Sequence, residues 1–261
     1  MPKVIEPEYE RVLAFCALDP VERVFIEDVA RRGFGRFVGI AGPDGALEAL
    51  CHIGANLVPS GRGCGAFADV ASRAGVSRML IGEERAVGEL WEAASSRLPR
   101  AREDRRGQPV YTMTEPPPPG DTGLRPATVG DVDRLLPACA AAHAEELGID
   151  PLERDAEGFR WRTRMQIEEG RSWLWLEDGA IRFKAEASAW TPQAVQLQQV
   201  WVDPEERGRG YGSRGLRDLV RLLLEETPVV TLFVRTDNAP AIALYDAIGM
   251  QRALTYRSLL F

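Results

Sequence analysis

The feature that most constrains the fold of this chain is a glycine- and arginine-rich loop between a strand and a helix. Residues 198–213 read QQVWVDPEERGRGYGS, and the apolar pattern predicts a strand that ends near Val202 and an amphipathic helix over residues 213–226. Glycines let successive backbone N–H groups converge, and a helix N-terminus carries about half a unit of positive charge. The loop is therefore predicted to bind a phosphate group. Three arginines would add charge to it: Arg207, Arg209 and Arg214.

Two well-known phosphate motifs fit this loop poorly. A P-loop needs Gly-Lys-Ser/Thr, which is missing here. The Gly-x-Gly-x-x-Gly pattern of dinucleotide-binding folds is matched by Gly210, Gly212 and Gly215, and Asp237 follows 22 residues later. However, residues 203–206 separate the strand from the glycines, and only 46 residues follow Gly215, too few for the rest of a doubly wound sheet. A dehydrogenase of the NAD type is therefore the weaker alternative.

A proline-rich segment divides the 261 residues into two parts. Residues 98–123 contain a charged run, a short strand-like stretch at residues 110–113 and four consecutive prolines at residues 116–119. Because proline removes a backbone donor and fixes φ, we expect this segment to be an extended linker. The predicted boundary separates an N-terminal domain, residues 1–119, from a C-terminal domain, residues 120–261.

The predicted order of elements indicates an α+β fold (mixed α/β). In the C-terminal part the order is ααβββαβαβ, which is typical of a mixed sheet with helices on its faces. In the N-terminal part the order is roughly ααββ(α)βα. There, Pro20 is expected to begin the second helix, and residues 47–57 are expected to form one strand.

Composition argues against several classes of function. A net charge of −7 and a pI near 5.1 argue against a protein that binds nucleic acid or an anionic membrane. The four cysteines are widely spaced, so neither a disulfide framework nor a metal site is indicated, and no apolar run is long enough to span a membrane. We expect a cytoplasmic protein. All but two of the 32 basic residues are arginines, a bias typical of GC-rich bacterial genomes.

An ordered set of motifs extends from the loop towards residue 261. The pattern Arg207-x-x-Gly210-x-Gly212 is preceded by Val-Asp-Pro at residues 202–204. A strand at residues 231–235, a helix that begins with Asn-Ala-Pro-Ala, a Leu-Tyr pair and a Gly-Met pair follow in that order. This set resembles the GNAT family of acyl-CoA-dependent N-acyltransferases over residues 122–261. The resemblance implies a mostly antiparallel central sheet flanked by helices.

The resemblance also implies roles for individual residues. Backbone amides of the loop would hold the pyrophosphate of acetyl-CoA: Arg207, Gly208, Arg209, Gly210, Tyr211, Gly212 and Ser213. The strand before the loop would diverge from residues 231–234, so that pantetheine pairs with main-chain groups and an amide polarises the thioester carbonyl. The diverging residues are Val200, Trp201 and Val202. Asn238 would contact pantetheine, and Tyr245 would protonate the departing CoA thiolate. The alternative for Tyr245 is a core aromatic residue.

The general base is where this chain departs from the family pattern. Many relatives carry a glutamate on the strand before the motif, but Gln198 occupies that position, and glutamine cannot accept a proton at neutral pH. Gln198 is therefore expected to orient a water molecule or to bind substrate. Glu186, Asp237 and His143 are the substitute candidates. Glu186 is expected to face solvent and His143 to be a packing or surface residue, so a water relay without a dedicated base remains open.

The resemblance places the acceptor pocket near residues 141–164. Acidic residues there could attract an amine (Glu145, Glu146 and Asp150), and arginines could attract a carboxylate (Arg154, Arg160, Arg162 and Arg164). The ββ(α)βα order of the N-terminal part looks like a degenerate, truncated copy of the same fold, so the resemblance extends to tandem acyltransferases. Its glycine-rich passage at residues 58–65 lacks the Arg-x-x-Gly-x-Gly frame. Cys64 in that passage is expected to be a small core residue rather than a nucleophile.

The sequence thus predicts an N-acyltransferase that moves an acetyl or other short acyl group from acyl-CoA to an unidentified amine by direct attack. The alternative is a non-catalytic acyl-CoA-binding sensor, which the glutamine at position 198 suggests. Acyl-CoA is the expected co-substrate without a metal, and neither nucleic acid nor a membrane is an expected partner. A homodimer is allowed.

Overall fold

A computed structural model describes residues 3–75 and 77–261, and its strands form a single twelve-stranded sheet. The order across the sheet is β1-β2-β3-β4-β5-β12-β6-β11-β10-β9-β8-β7. The strands are β1 Val4–Ile5, β2 Arg36–Ala41, β3 Leu47–Ile53, β4 Asn56–Gly61, β5 Met79–Glu83, β6 Glu103–Met113, β7 Arg125–Pro126, β8 Ser172–Glu177, β9 Ala180–Trp190, β10 Val195–Trp201, β11 Val230–Phe233 and β12 Gln251–Leu260. All pairs are antiparallel except β4 with β5 and β10 with β11.

Helices cover both faces of the sheet. They are α1 Tyr9–Ala17, α2 Val24–Arg31, α3 Ala68–Ser72, α4 Glu84–Ala94, α5 Val132–Leu147, α6 Pro151–Glu168, α7 Tyr211–Leu224 and α8 Ala239–Ile248. In the C-terminal part, α7 and α8 pack on one face around Trp173, Phe183 and Leu197. On the opposite face, α5 and α6 pack around Leu135 and Leu174. None of the described helices is both long and apolar enough to cross a bilayer.

The predicted α+β fold and the order of elements in the C-terminal part are confirmed, and two local predictions in the N-terminal part are wrong. Pro20 lies in the turn between the first two helices, and α2 begins only at Val24. The single strand expected at residues 47–57 is two antiparallel strands, because the chain turns between Ile53 and Asn56.

The segment expected to be a linker contains a central strand of the sheet. β6 pairs with β11 on one side and with β12 on the other, and β12 pairs in turn with β5. Apolar Val110 and Tyr111 are buried there, Gln108 donates to Ser258 at 2.8 Å, and Asp104 accepts two bonds from Arg257 at 2.8 Å. The linker prediction is therefore wrong for residues 103–113, because partners distant in sequence bury this segment.

The proline-rich residues after β6 are attached to α7. Asp218 accepts hydrogen bonds from the backbone N–H groups of Gly120 at 2.7 Å and Thr122 at 2.9 Å. Arg221 donates to the carbonyl oxygen of Pro117 at 2.8 Å. These contacts fix the segment on the helix surface. A domain boundary near residue 120 stays a prediction.

The ring of His52 on β3 is a buried titratable group of the N-terminal part. His52 is 4% exposed and lies beside the rings of Phe25 and Phe37, with centroids 5.8 and 5.4 Å away. Burial lowers the pKa of His52, because desolvation penalises the charged imidazolium.

We expect His52 to make the protein less stable in mild acid. Because its pKa is lower in the folded than in the unfolded state, the stabilisation is complete above about pH 6.5 and is lost as the pH falls towards the folded-state pKa. Urea unfolding at several pH values should show a slope about 1 kcal/mol per pH unit steeper in wild type than in His52→Leu between pH 6.5 and 5. Equal slopes would contradict this assignment.

Candidate active site

The central feature of the site is a gap between two parallel strands. β10 and β11 pair only at Val195 with Val230 and at Gln196 with Thr231. After that, β10 contains a bulge in which Gln199 adopts a φ of +48°, and its pairing with β9 resumes at Trp201. The divergence expected for Val200, Trp201 and Val202 is therefore present. Backbone groups along this part of β10 are left without a partner strand on the β11 side.

The glycine-rich loop leads from this gap into α7. Gly208 and Gly210 have φ values of +80° and +84°, and a Cβ atom added to either would meet nothing within 4 Å. Gly210 is the N-cap of the 14-residue helix, and no side-chain bond caps it. The amides of Tyr211, Gly212 and Ser213 thus lie in its uncapped first turn. This is the geometry that a phosphate group needs at a helix N-terminus.

The three arginines of the loop have different partners. Arg207 donates to both carboxylate oxygens of Glu145 on α5, at 2.8 and 2.7 Å, and Arg209 pairs with Glu206 at 2.9 Å. Arg214 donates to the carbonyl oxygens of Gly120 and Asp121. The expectation that Arg214 reinforces a phosphate site is therefore wrong, because its guanidinium holds the proline-rich segment. Arg207 and Arg209 each belong to an exposed surface ion pair, and such pairs are weak enough for the arginines to change partners.

The two residues predicted to act from α8 lie at different depths. Tyr245 is buried against Tyr111, with ring centroids 5.5 Å apart. Burial raises the pKa of Tyr245, so the phenol stays protonated at neutral pH and can serve as a proton donor. Asn238 is exposed, and its side-chain oxygen accepts from the N–H of Ala241 at 3.2 Å as the N-cap of α8. A contact between Asn238 and pantetheine would then use its amide nitrogen.

The candidate bases fall into two environments. Glu186 is buried, contrary to the expectation that it faces solvent, because α5 covers that face of β9. It accepts a bond from Lys184 at 2.6 Å and lies 3.4 Å from the amide nitrogen of Gln198, which is exposed. Asp237 is an exposed carboxylate paired with Arg235. The ring of His143 packs edge-on against Phe159, and burial lowers the pKa of His143.

Sequence reasoning missed Lys184, which organises this region, and predicted Glu145 only as an acceptor-pocket residue. Lys184 is fully buried beside Glu186, and its only signal is that it is one of two lysines in the chain. Glu145 joins the loop to the predicted acceptor pocket, because it accepts from Trp201 Nε1 at 3.1 Å as well as from Arg207. No group of three or more potential metal ligands was found among the described residues.

The N-terminal part has a similar gap between two parallel strands, but side chains of the protein contact the loop beside it. β4 and β5 pair in parallel only at Asn56 with Met79 and at Leu57 with Leu80. In the loop after β4, the N–H of Cys64 donates to the carboxylate of Glu89 at 2.8 Å. Arg85 donates to the carbonyl oxygen of Gly61 at 2.9 Å. The carboxylate of Glu89 thus occupies a backbone N–H that a bound anion would need.

Known proteins match the chain along most of its length. Residues 138–250 match the acetyltransferase (GNAT) family, and residues 35–135 match a domain of unknown function, DUF4081. A mycothiol acetyltransferase from Nocardioides sp. is 30% identical over 243 residues, which cover 84% of this chain and 80% of that relative. The chain belongs to the GNAT acetyltransferase family. The N-alpha-acetyltransferase RimI of Mycobacterium tuberculosis is 46% identical over 61 residues, which cover 23% of this chain and 37% of RimI.

Solved GNAT structures share the fold of the whole chain. A GCN5-related N-acetyltransferase from Sphaerobacter thermophilus gives a TM-score of 0.61 at 19% identity, covering 98% of this chain and 94% of its own. A tandem GNAT protein from the clavulanic acid biosynthesis pathway gives a TM-score of 0.55 at 13% identity, covering 100% and 98%. The predicted resemblance to tandem GNAT proteins is confirmed.

We expect Gly210→Ala to weaken CoA binding about tenfold, because a methyl group would enter the cradle and the backbone would resist its φ of +84°. Gly45→Ala is the matched control, because Gly45 has the same φ and equally open surroundings in the turn between β2 and β3. Both variants should lose about 1 kcal/mol of stability from the strained backbone. Calorimetric titration with CoA should separate them, and equal affinities would refute a phosphate site at this loop.

Proposed function

We propose that this protein transfers an acetyl or other short acyl group from acyl-CoA to a primary amine. The observation that carries the proposal is the gap between β10 and β11, which the glycine-rich loop connects to the uncapped N-terminus of α7. Pantetheine would pair with the free backbone groups of the gap, and the pyrophosphate would bind the amides of the loop. Arg207 and Arg209 would turn from Glu145 and Glu206 towards the phosphates.

The reaction would be a direct attack. The amine nitrogen forms a bond to the thioester carbon, and a backbone N–H of the β10 bulge stabilises the oxyanion. When the tetrahedral intermediate collapses, the C–S bond breaks and Tyr245 protonates the CoA thiolate. The attacking nitrogen loses a proton to Glu186, directly or through a water molecule that Gln198 orients. The proton taken up by Glu186 passes to solvent, and solvent returns a proton to Tyr245.

The acceptor would approach between α5 and the sheet. Glu146 lies at the end of α5, where Arg105 and Arg235 donate to its carbonyl oxygen at 2.9 and 3.5 Å. Burial raises the pKa of Tyr245, and the nearby carboxylate of Glu146 raises it further. A carboxyl group near the acid favours an acceptor that arrives as an ammonium ion and releases that proton to solvent before its nitrogen attacks.

The decisive experiment measures free CoA thiol while purified protein is incubated with acetyl-CoA and a panel of amines. The panel should contain protein N-terminal peptides and an amine related to mycothiol, because the relatives include an N-alpha-acetyltransferase and a mycothiol acetyltransferase. Amine-dependent release supports the enzyme. Tight CoA binding without release of thiol in the presence of any amine would instead support the acyl-CoA sensor. The exposed Gln198, at the position of the usual glutamate, favours that alternative.

We expect Tyr245→Phe to lower kcat about 100-fold while the KM for acetyl-CoA changes little, because only the proton to the thiolate is lost. Tyr111→Phe is the matched control, because Tyr111 is a buried tyrosine whose ring packs against that of Tyr245. The hydroxyl of Tyr111 donates instead to Asp246 at 2.9 Å. Steady-state kinetics from pH 6 to 10 provides the measurement. A Tyr245→Phe enzyme with wild-type kcat throughout would show that another group is the acid.

A further inference from the structure

Lys184 is an unusual residue for this chain. The sequence has two lysines and 30 arginines, so nearly every position that needs a cation uses arginine. Lys184 lies in the middle of β9 with a side chain that is 0% exposed. A buried ammonium is costly unless it is paired and hydrogen-bonded, so its retention calls for a specific partner geometry.

The ammonium of Lys184 has three acceptors from three different elements. Nζ lies 2.6 Å from Glu186 Oε1 on β9, 2.9 Å from Gln199 Oε1 on β10 and 3.2 Å from Cys139 Sγ on α5. An ammonium has three donors arranged around one atom, whereas a guanidinium is a flat fork. The three partners therefore suit lysine and not arginine. Burial raises the pKa of Cys139 to about 12, so its thiol keeps its proton and acts as a neutral acceptor.

Lys184 donates a hydrogen bond to Gln199, and Gln199 is the residue whose conformation forms the bulge. Gln199 has a φ of +48° inside a strand, whereas Asp121 and Asp178, the other described non-glycine residues with positive φ, lie outside the strands. A residue with a Cβ pays about 1 kcal/mol for this conformation, and it persists only when the surroundings hold it. Lys184 supplies such a hold, because it binds the Gln199 side chain on the face of the sheet that α5 covers.

We propose that Lys184 is a positioning residue for acyl transfer: it holds Gln199 in the left-handed conformation and thereby fixes the bulge that turns the backbone of residues 200–202 towards the thioester. The inference rests on the proposed function. Lys184 does not touch the substrate, because it is sealed from solvent and all three of its donors are used. Its effect on the reaction passes through the backbone of β10.

The test compares alanine and glycine at Gln199. Both substitutions remove the bond to Lys184, but only glycine adopts a positive φ without strain. We expect Gln199→Ala to lower kcat about 100-fold, as misplacement of an oxyanion donor does, with the KM for acetyl-CoA within about threefold of wild type. Gln199→Gly should have a kcat about tenfold above that of Gln199→Ala. Equal kcat values in the two variants would overturn the proposal, because the loss would then not come from the φ angle.

The lysine is tested by Lys184→Met, with Lys3→Met as the matched control at the other, exposed lysine. Because Lys184→Met leaves Glu186 without its cation, Lys184→Met/Glu186→Gln is made alongside it to keep the cluster neutral. Hydrogen exchange of the amides at residues 199–202 should speed up about tenfold in both Lys184 variants and not in Lys3→Met. Adding Gln199→Gly to Lys184→Met should raise kcat again, a rescue that a purely stabilising role would not give.

The hydrogen-exchange measurement does not need turnover, so it tests the positioning role of Lys184 separately from the proposed acyltransferase function. If wild-type protein binds CoA but releases no thiol with any amine, the proposed function fails, and faster exchange at residues 199–202 still supports the hold on the bulge. If wild-type protein is active and Lys184→Met/Glu186→Gln folds with unchanged exchange at these amides, the positioning role is overturned.

Discussion

The candidate site depends on the point where two neighbouring strands stop pairing. A buried backbone group without a hydrogen bond costs about 1–3 kcal/mol, so strands left to themselves close such a gap. Here the gap stays open because β10 is held from the side away from β11. Trp201 packs on α5 against Ala138 and Ala142, and the bulge at Gln199 moves the backbone out of register. Under the proposed function, the amides of pantetheine would pair with the groups left free.

The two parts of the chain show that this gap alone is not sufficient. β4 and β5 separate after two residue pairs, as β10 and β11 do. The two halves differ in the loop after the first strand of each pair. The loop after β10 opens a helix of 14 residues with a bare N-terminus, whereas the loop after β4 leads to the five-residue α3 and has Glu89 against its amide. Side chains, and not topology, therefore distinguish the two halves at this loop.

The parts of the site that the sequence predicted are those encoded locally. A glycine-rich loop and a helix start require only neighbouring residues, so the positions of Gly208, Gly210 and α7 follow from the pattern. What could not be read depends on contacts between distant elements. Glu186 is expected from the sequence to face solvent, but β9 is covered by helices on both faces. Arg207 similarly meets Glu145, which lies 62 residues earlier on another element.

The order of strands at the centre of the sheet also affects how the molecule can be made. β5 has β12 as its neighbour, with Glu83 opposite Tyr256, and β6 lies between β11 and β12. During translation, the N-terminal part emerges early but lacks an edge of its sheet until β12 has been synthesised. Contacts of such long sequence separation form slowly, and an unpaired strand edge is open to association with other chains. The nascent protein therefore passes through a long interval in which its first half is present but incomplete.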